Sequence, residues 1–262
     1  MRRALPLLLL TAMAVAPSAQ AATVTLTQAS PPAVYHPAHP IDVAGITPGM
    51  SADRVAGILA PSFGPVQTVR ENMGLQDQGI DVATQNYPTR MTATKGTDDI
   101  SVWFGTPTTG NAVVEATLQT IYNNPAEAPT LEEARAKLIA KYGPPAFDGP
   151  VMGTGEVRVL AWSYKGDKPA SCTDSSCRAD LTDGLSVTDM PKYQRAVRQG
   201  HDLTLIGMLL AGVDDSARTA SVVITVSDTA TKLRTLDEAI AQMRAAARPG
   251  KAAPQRPGQE KR

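Results

Sequence analysis

Apolar positions along this chain follow two periods, and the switches between them divide it into elements. Over 51–61, Val55, Ile58 and Leu59 fall on one helical face. Over 130–142 the residues Leu131, Ala134, Leu138, Ile139 and Tyr142 do the same, and over 229–248 Leu233, Leu236, Ile240, Met243 and Ala247 keep that spacing. A shorter helix is predicted over 190–198. Between these stretches the pattern changes to short runs rich in Val, Ile and Thr: 65–73, 79–85, 89–94, 100–105, 113–122, 156–165, 203–211 and 217–226. They predict antiparallel strands, with hairpin loops at 95–99, 106–111 and 214–216. A further strand is expected over 41–46, leading into the first helix.

Local chemistry marks the helix ends. Pro48 presets a turn, Gly49 can take the positive φ such a turn needs, and Ser51 is placed to accept a hydrogen bond from the first-turn N–H groups. Pro61 is expected to end that helix. Thr130 and Glu133 have the spacing of a capping box, and Gly143-Pro144-Pro145 stops the second helix. The fold class expected is α+β: two helix-plus-antiparallel-sheet units, 41–127 and 128–248, a candidate tandem repeat.

Flanking segments behave differently. Met1-Arg2-Arg3, the apolar run 4–16 and Ala19-Gln20-Ala21 have the three regions of a secretory signal, predicting a chain processed after Ala21 and placed in the periplasm or secreted. No cysteine near that point suggests a lipid anchor, and no later apolar run is long enough to span a membrane. Residues 22–40 form a proline-rich, extended lead-in, and 249–262 read as a disordered tail.

Composition narrows the chemistry. Twenty-five basic residues balance 25 acidic ones, so no basic field recommends nucleic acid as a partner. Aromatic residues are 4% of the chain, which leaves few stacking platforms for sugars or single strands. Cys172 and Cys177 are the only cysteines, and in an oxidising compartment such a pair is expected to form a disulfide pinning a local loop. His36 and His39 lack a neighbouring carboxylate or thiol and read as exposed linker residues, not metal ligands. Asp167, Asp174, Asp180 and Asp183 crowd the cysteine loop without the spacing that wraps Ca²⁺. His201 precedes a strand and would need a serine and a carboxylate brought to it by the fold to act as a general base. No catalytic, metal or cofactor signature stands out; Gly49, Ser51 and Thr130 are read as structural turn and cap residues.

The turn and helix carried by Ile46, Gly49, Met50, Ser51, Val55 and Leu59, closing near Pro61, resemble the small periplasmic modules of the SmpA/OmlA type and the similar β-lactamase-inhibitor-protein type. The resemblance covers 41–122 and, more loosely, 128–248. It implies a protein that presents a sheet face or loops to another protein. The leading expectation is therefore an exported, non-catalytic protein-binding or envelope-associated module. Two others stand beside it: an exported hydrolase with a dispersed site around His201, and an inhibitor of an exported enzyme.

Overall fold

The computed structural model describes residues 22–151, 154–171, 185–212 and 217–248. The expected signal, the cysteine pair, the 214–216 turn and the tail lie outside these residues. The fold is α+β, built on a nine-stranded, antiparallel sheet among the described residues. Helix α1 (Ala52–Phe63) leads into strands β2 (Gln67–Glu71), β5 (Tyr87–Lys95), β6 (Asp98–Phe104) and β7 (Val113–Ile121). Helix α2 (Leu131–Tyr142) leads into β8 (Phe147–Val151), β9 (Thr154–Lys165), β11 (Leu203–Ala211) and β12 (Thr219–Asp228). Each half is thus one helix followed by four strands in meander order, and the two last strands, β7 and β12, pair with each other at the seam. The short β10 (Lys168–Pro169) extends the β9 edge.

The alternation of the strands dictates what covers each face. On one face, Trp162, Leu205, Val226, Ala116, Val102 and Met91 are successive cross-strand partners, an apolar row running through six strands. Helices α1 and α2 bury this face through Val55 and Leu59, and through Ala134, Leu138 and Tyr142. Gly207 lies in this face because α2 comes close: a Cβ there would stand 2.6 Å from Leu138 Cδ1. Trp162 meets Tyr142 edge to face at 5.5 Å and donates its indole N–H to the Gly143 carbonyl.

The opposite face is covered differently. Helix α4 (Thr229–Ala247) crosses it, with α3 (Met190–Gln199) packed beside it. On its other side, Ala239, Met243 and Ala247 pack with Leu26 and Val82 beneath a separate three-stranded sheet of β1 (Ala22–Val24), β4 (Ile80–Thr84) and β3 (Gly74–Asp77). Near the middle of α4, Thr235 gathers the hydroxyls of Thr106 and Thr109 at 2.9 and 3.1 Å, which ties the 3-10 turn Pro107–Thr109 to the helix.

Several expectations change here. Residues 41–46 form no strand: Ala44 and Gly45 take φ of 52° and 80°, and Val43 and Ile46 exchange backbone hydrogen bonds across a tight turn. Pro61 does not end α1, which continues to Phe63. So close to the C-terminus its missing N–H removes a single bond, and Gly64 closes the helix instead by donating to the Ala60 carbonyl. The run at 79–85 leaves the meander, because β4 pairs with β3 and, in parallel, with β1 of the lead-in. The lead-in is extended, and it is docked along α4. Thr27 and Gln242 exchange two hydrogen bonds, Ser30 donates to Glu238, and Tyr35 donates to Asp228.

Candidate functional site

One strand position away from the apolar row, and therefore on the other face, runs a row of mostly polar residues. Ser163, Thr204, Ser227, Glu115, Trp103, Arg90 and Val69 are successive cross-strand partners from β9 to β2. Its buried end lies beneath α3 and α4, and its β5–β2 end opens into a cleft. The elements deliver partners to it in turn.

At the β9 end, α3 stops at Gly200, whose φ of 88° turns the chain so that His201 comes under the sheet. His201 Nδ1 and Ser163 Oγ are hydrogen bonded at 2.7 Å, with the residues only 3% and 2% exposed. The fold therefore brings His201 to a serine, as a general base would require, but in a position closed to solvent. At the seam, Lys232 of α4 donates to the Glu115 carboxylate of β7, both fully buried, with the Tyr193 ring 5.6 Å from the ammonium. Lys232 sits in the first turns of α4, where the helix dipole disfavours a cation. Its placement answers to Glu115 and not to the helix.

Where β12 passes into α4, Asp228 accepts from the Thr231 backbone N–H and the Tyr35 hydroxyl, each at 2.8 Å. Burial raises the Asp228 carboxyl above its ordinary range, against the lowering effect of those hydrogen bonds. Burial also raises the Tyr35 phenol, with the Asp228 charge adding to it.

At the open end, β2, β5, β6, α4 and the segment at Leu185 and Val187 line a cleft of about 310 Å³. Val69 pairs with Arg90 while Arg70 pairs with Pro88, so Thr89 is an extra residue on β5. Such a bulge re-aims side chains. Tyr87, Thr89 and Arg90 consequently all line the cleft, opposite Glu71 and beside Trp103.

The residues singled out from the sequence sit elsewhere. Gly49, with φ of 87°, donates its N–H to the Val113 carbonyl, and a Cβ on it would meet the Ala33 carbonyl oxygen at 2.9 Å. Ser51 Oγ receives the Arg54 N–H at 3.4 Å, a long contact. Thr130 and Glu133 form the reciprocal box, at 3.1 and 2.8 Å. His36 and His39 are exposed, and Asp167 accepts the His36 backbone N–H. Asp174, Asp180 and Asp183, like Cys172 and Cys177, fall outside the described residues. Arg90, Trp103, Glu115 and Lys232 were not singled out, although a glutamate inside the apolar run Val113-Val114-Glu115-Ala116 is a signal that burial would demand a partner.

Fold and site together define an α+β protein whose single large sheet is apolar and helix-covered on one face, polar and partly open on the other. No protein family, characterised protein or solved structure matches the chain.

Proposed function

We propose that the protein is an exported, non-catalytic binding module that holds a protein partner against the open part of its polar sheet face. The observation that carries this reading is the surface next to the polar row on β5, β6 and β7. There Thr92, Ser101, Thr117 and Gln119 are half-buried, while Thr94 and Asp99 are exposed. Thr92, Ser101 and Thr117 are again direct cross-strand partners, so hydroxyl groups stand in line on a rigid surface. A sheet face of that kind offers hydrogen-bonding groups at fixed spacing and costs little side-chain entropy to order. The resemblance to SmpA/OmlA-type and inhibitor-type modules points the same way, and the N-terminal signal pattern supports a role in the cell envelope. Inhibition of an exported enzyme would be one form of it.

The hydrolase reading rests on the hydrogen bond between Ser163 and His201. Their burial argues against it, because a nucleophile must reach its substrate. The test is site-specific photo-crosslinking of the full-length protein in its own cell envelope. A benzophenone side chain at Ser101 or Thr117 is expected to yield one saturable protein adduct, and the same group at the exposed Ala60 of α1 is expected to yield none. Equal labelling from both faces, or none from the sheet, would refute the reading.

A further inference from the structure

The cleft at the open end of the polar row carries paired, unspent chemistry. Among the described residues, Arg90 makes no ion pair or side-chain hydrogen bond, although its guanidinium offers five donors. Across from it, one Glu71 oxygen accepts the Thr89 hydroxyl at 2.9 Å, which leaves the carboxylate with further acceptor capacity, and no ion pair joins Glu71 to Arg90. Tyr87 is pushed up to about 12 by burial and then by the Glu71 charge, so that charge is felt inside the cleft. The Trp103 and Tyr87 rings and Leu236 line the same cleft.

A cavity of about 310 Å³ is at the small end of the range for ligand sites, enough for one bulky side chain with its backbone groups. A lone anion would be repelled by Glu71 and a lone cation by Arg90, whereas a ligand bearing both charges satisfies each. We propose that this cleft binds an apolar amino acid as its zwitterion, free or as a dipeptide, with the carboxylate on Arg90, the ammonium on Glu71 and the side chain against Trp103, Tyr87 and Leu236. This site adjoins the open sheet surface, and its charges and rings argue for it whether or not a partner docks there.

Trp103 supplies the readout. The chain has two tryptophans, and the other, Trp162, is buried on the opposite face. Titrating the full-length protein with L-phenylalanine or Gly-Phe is expected to change indole fluorescence saturably, with Kd below about 1 mM. Preference for one of the two distinguishes free amino acid from dipeptide, and either supports the proposal. 3-Phenylpropionate, lacking the amine, and 2-phenylethylamine, lacking the carboxylate, are expected to bind at least about tenfold more weakly, the discrimination one charged hydrogen bond provides. Arg90→Ala and Glu71→Gln alter exposed side chains, and each is expected to lower affinity for L-phenylalanine by a similar factor with the circular dichroism unchanged. The proposal is overturned if neither zwitterion saturates. It is equally overturned if 3-phenylpropionate binds as tightly as L-phenylalanine, or if a folded Arg90→Ala protein binds as the parent does.

Discussion

Glu115 and Lys232 offer the strongest test of how this protein holds together. They are 117 residues apart in sequence and 1% and 0% exposed, so each charge depends on its surroundings for what water would have given it. Replacing Lys232 with Met keeps the length and apolar character of the side chain and leaves the Glu115 carboxylate without its cation. The expected cost is about 3–5 kcal/mol, as for other buried pairs broken on one side. That is a large part of the 5–15 kcal/mol or so by which domains are usually stable. Glu115→Leu should cost a similar amount by removing the carboxylate to which the buried ammonium donates. The double variant removes both desolvation penalties and should return to within about 1–2 kcal/mol of the parent. Urea unfolding followed by circular dichroism measures all four corners of the cycle, with constant m-values as the condition for comparing them. Additive losses, with the double variant as poor as the sum of the singles, would refute the reasoning.

Other expectations follow from single contacts. Gly207→Ala should lose about 1–3 kcal/mol by overpacking against Leu138. In a Leu138→Ala background, itself destabilised as a core truncation, the added cost of Gly207→Ala should be smaller, and thermal unfolding of all four proteins reads out the difference. Thr130→Ala should cost about 1 kcal/mol, and Ser51→Ala less, because the Ser51 contact is longer and has no reciprocal partner; the reverse order in chemical denaturation would contradict the cap assignment. Asp148 receives Arg135 Nε at 2.6 Å and Arg158 Nε at 2.7 Å. Burial raises its carboxyl, but the two guanidiniums outweigh that and hold it below the usual range. Its folded-state pKa is therefore depressed relative to the unfolded chain. The stability it adds is present above the ordinary carboxylate range and is lost as pH falls through the depressed value. Asp148→Asn should cost about 1 kcal/mol at neutral pH, a figure discounted for partial exposure, and little in strong acid, as acid titration of both proteins would show.

What was legible in the sequence was local. The caps at Ser51 and Thr130, the four helices and most strands of the large sheet depend on near neighbours, and spacing alone locates them. Pro61 misled because its effect depends on how much helix remains after it. Residues 41–46 have strand-like composition, yet Ala44 and Gly45 adopt left-handed backbone that alternation does not encode. The strand at 80–84 was visible, but its departure to a small sheet over α4 depends on Leu26, Val82 and Met243 meeting across the chain. The cleft was least legible of all: it exists because a bulge at Thr89 turns Arg90 and Tyr87 to the same side, and a period-2 reading assumes no bulge.

The buried pair also bears on why the two halves join as they do. At the seam, Ala116 lies opposite Val102 and Val226 in the apolar row, and Glu115, its neighbour, lies opposite Trp103 and Ser227 in the polar one. A slip of one residue in β7 would exchange them, carrying the carboxylate into the core beneath α1 and α2 and away from Lys232. Without that charge, the alternation of Leu118 and Gln119 is the main remaining feature of β7 that tells the two registers apart. The expected role of the pair is thus to add to register specificity more than to net stability. Its test is amide exchange along β7 and β12 in the Glu115→Leu, Lys232→Met double variant. Protection at the seam should fall relative to β9 and β11 even though global stability is nearly restored. Uniform protection across all four strands would show that packing alone sets the register.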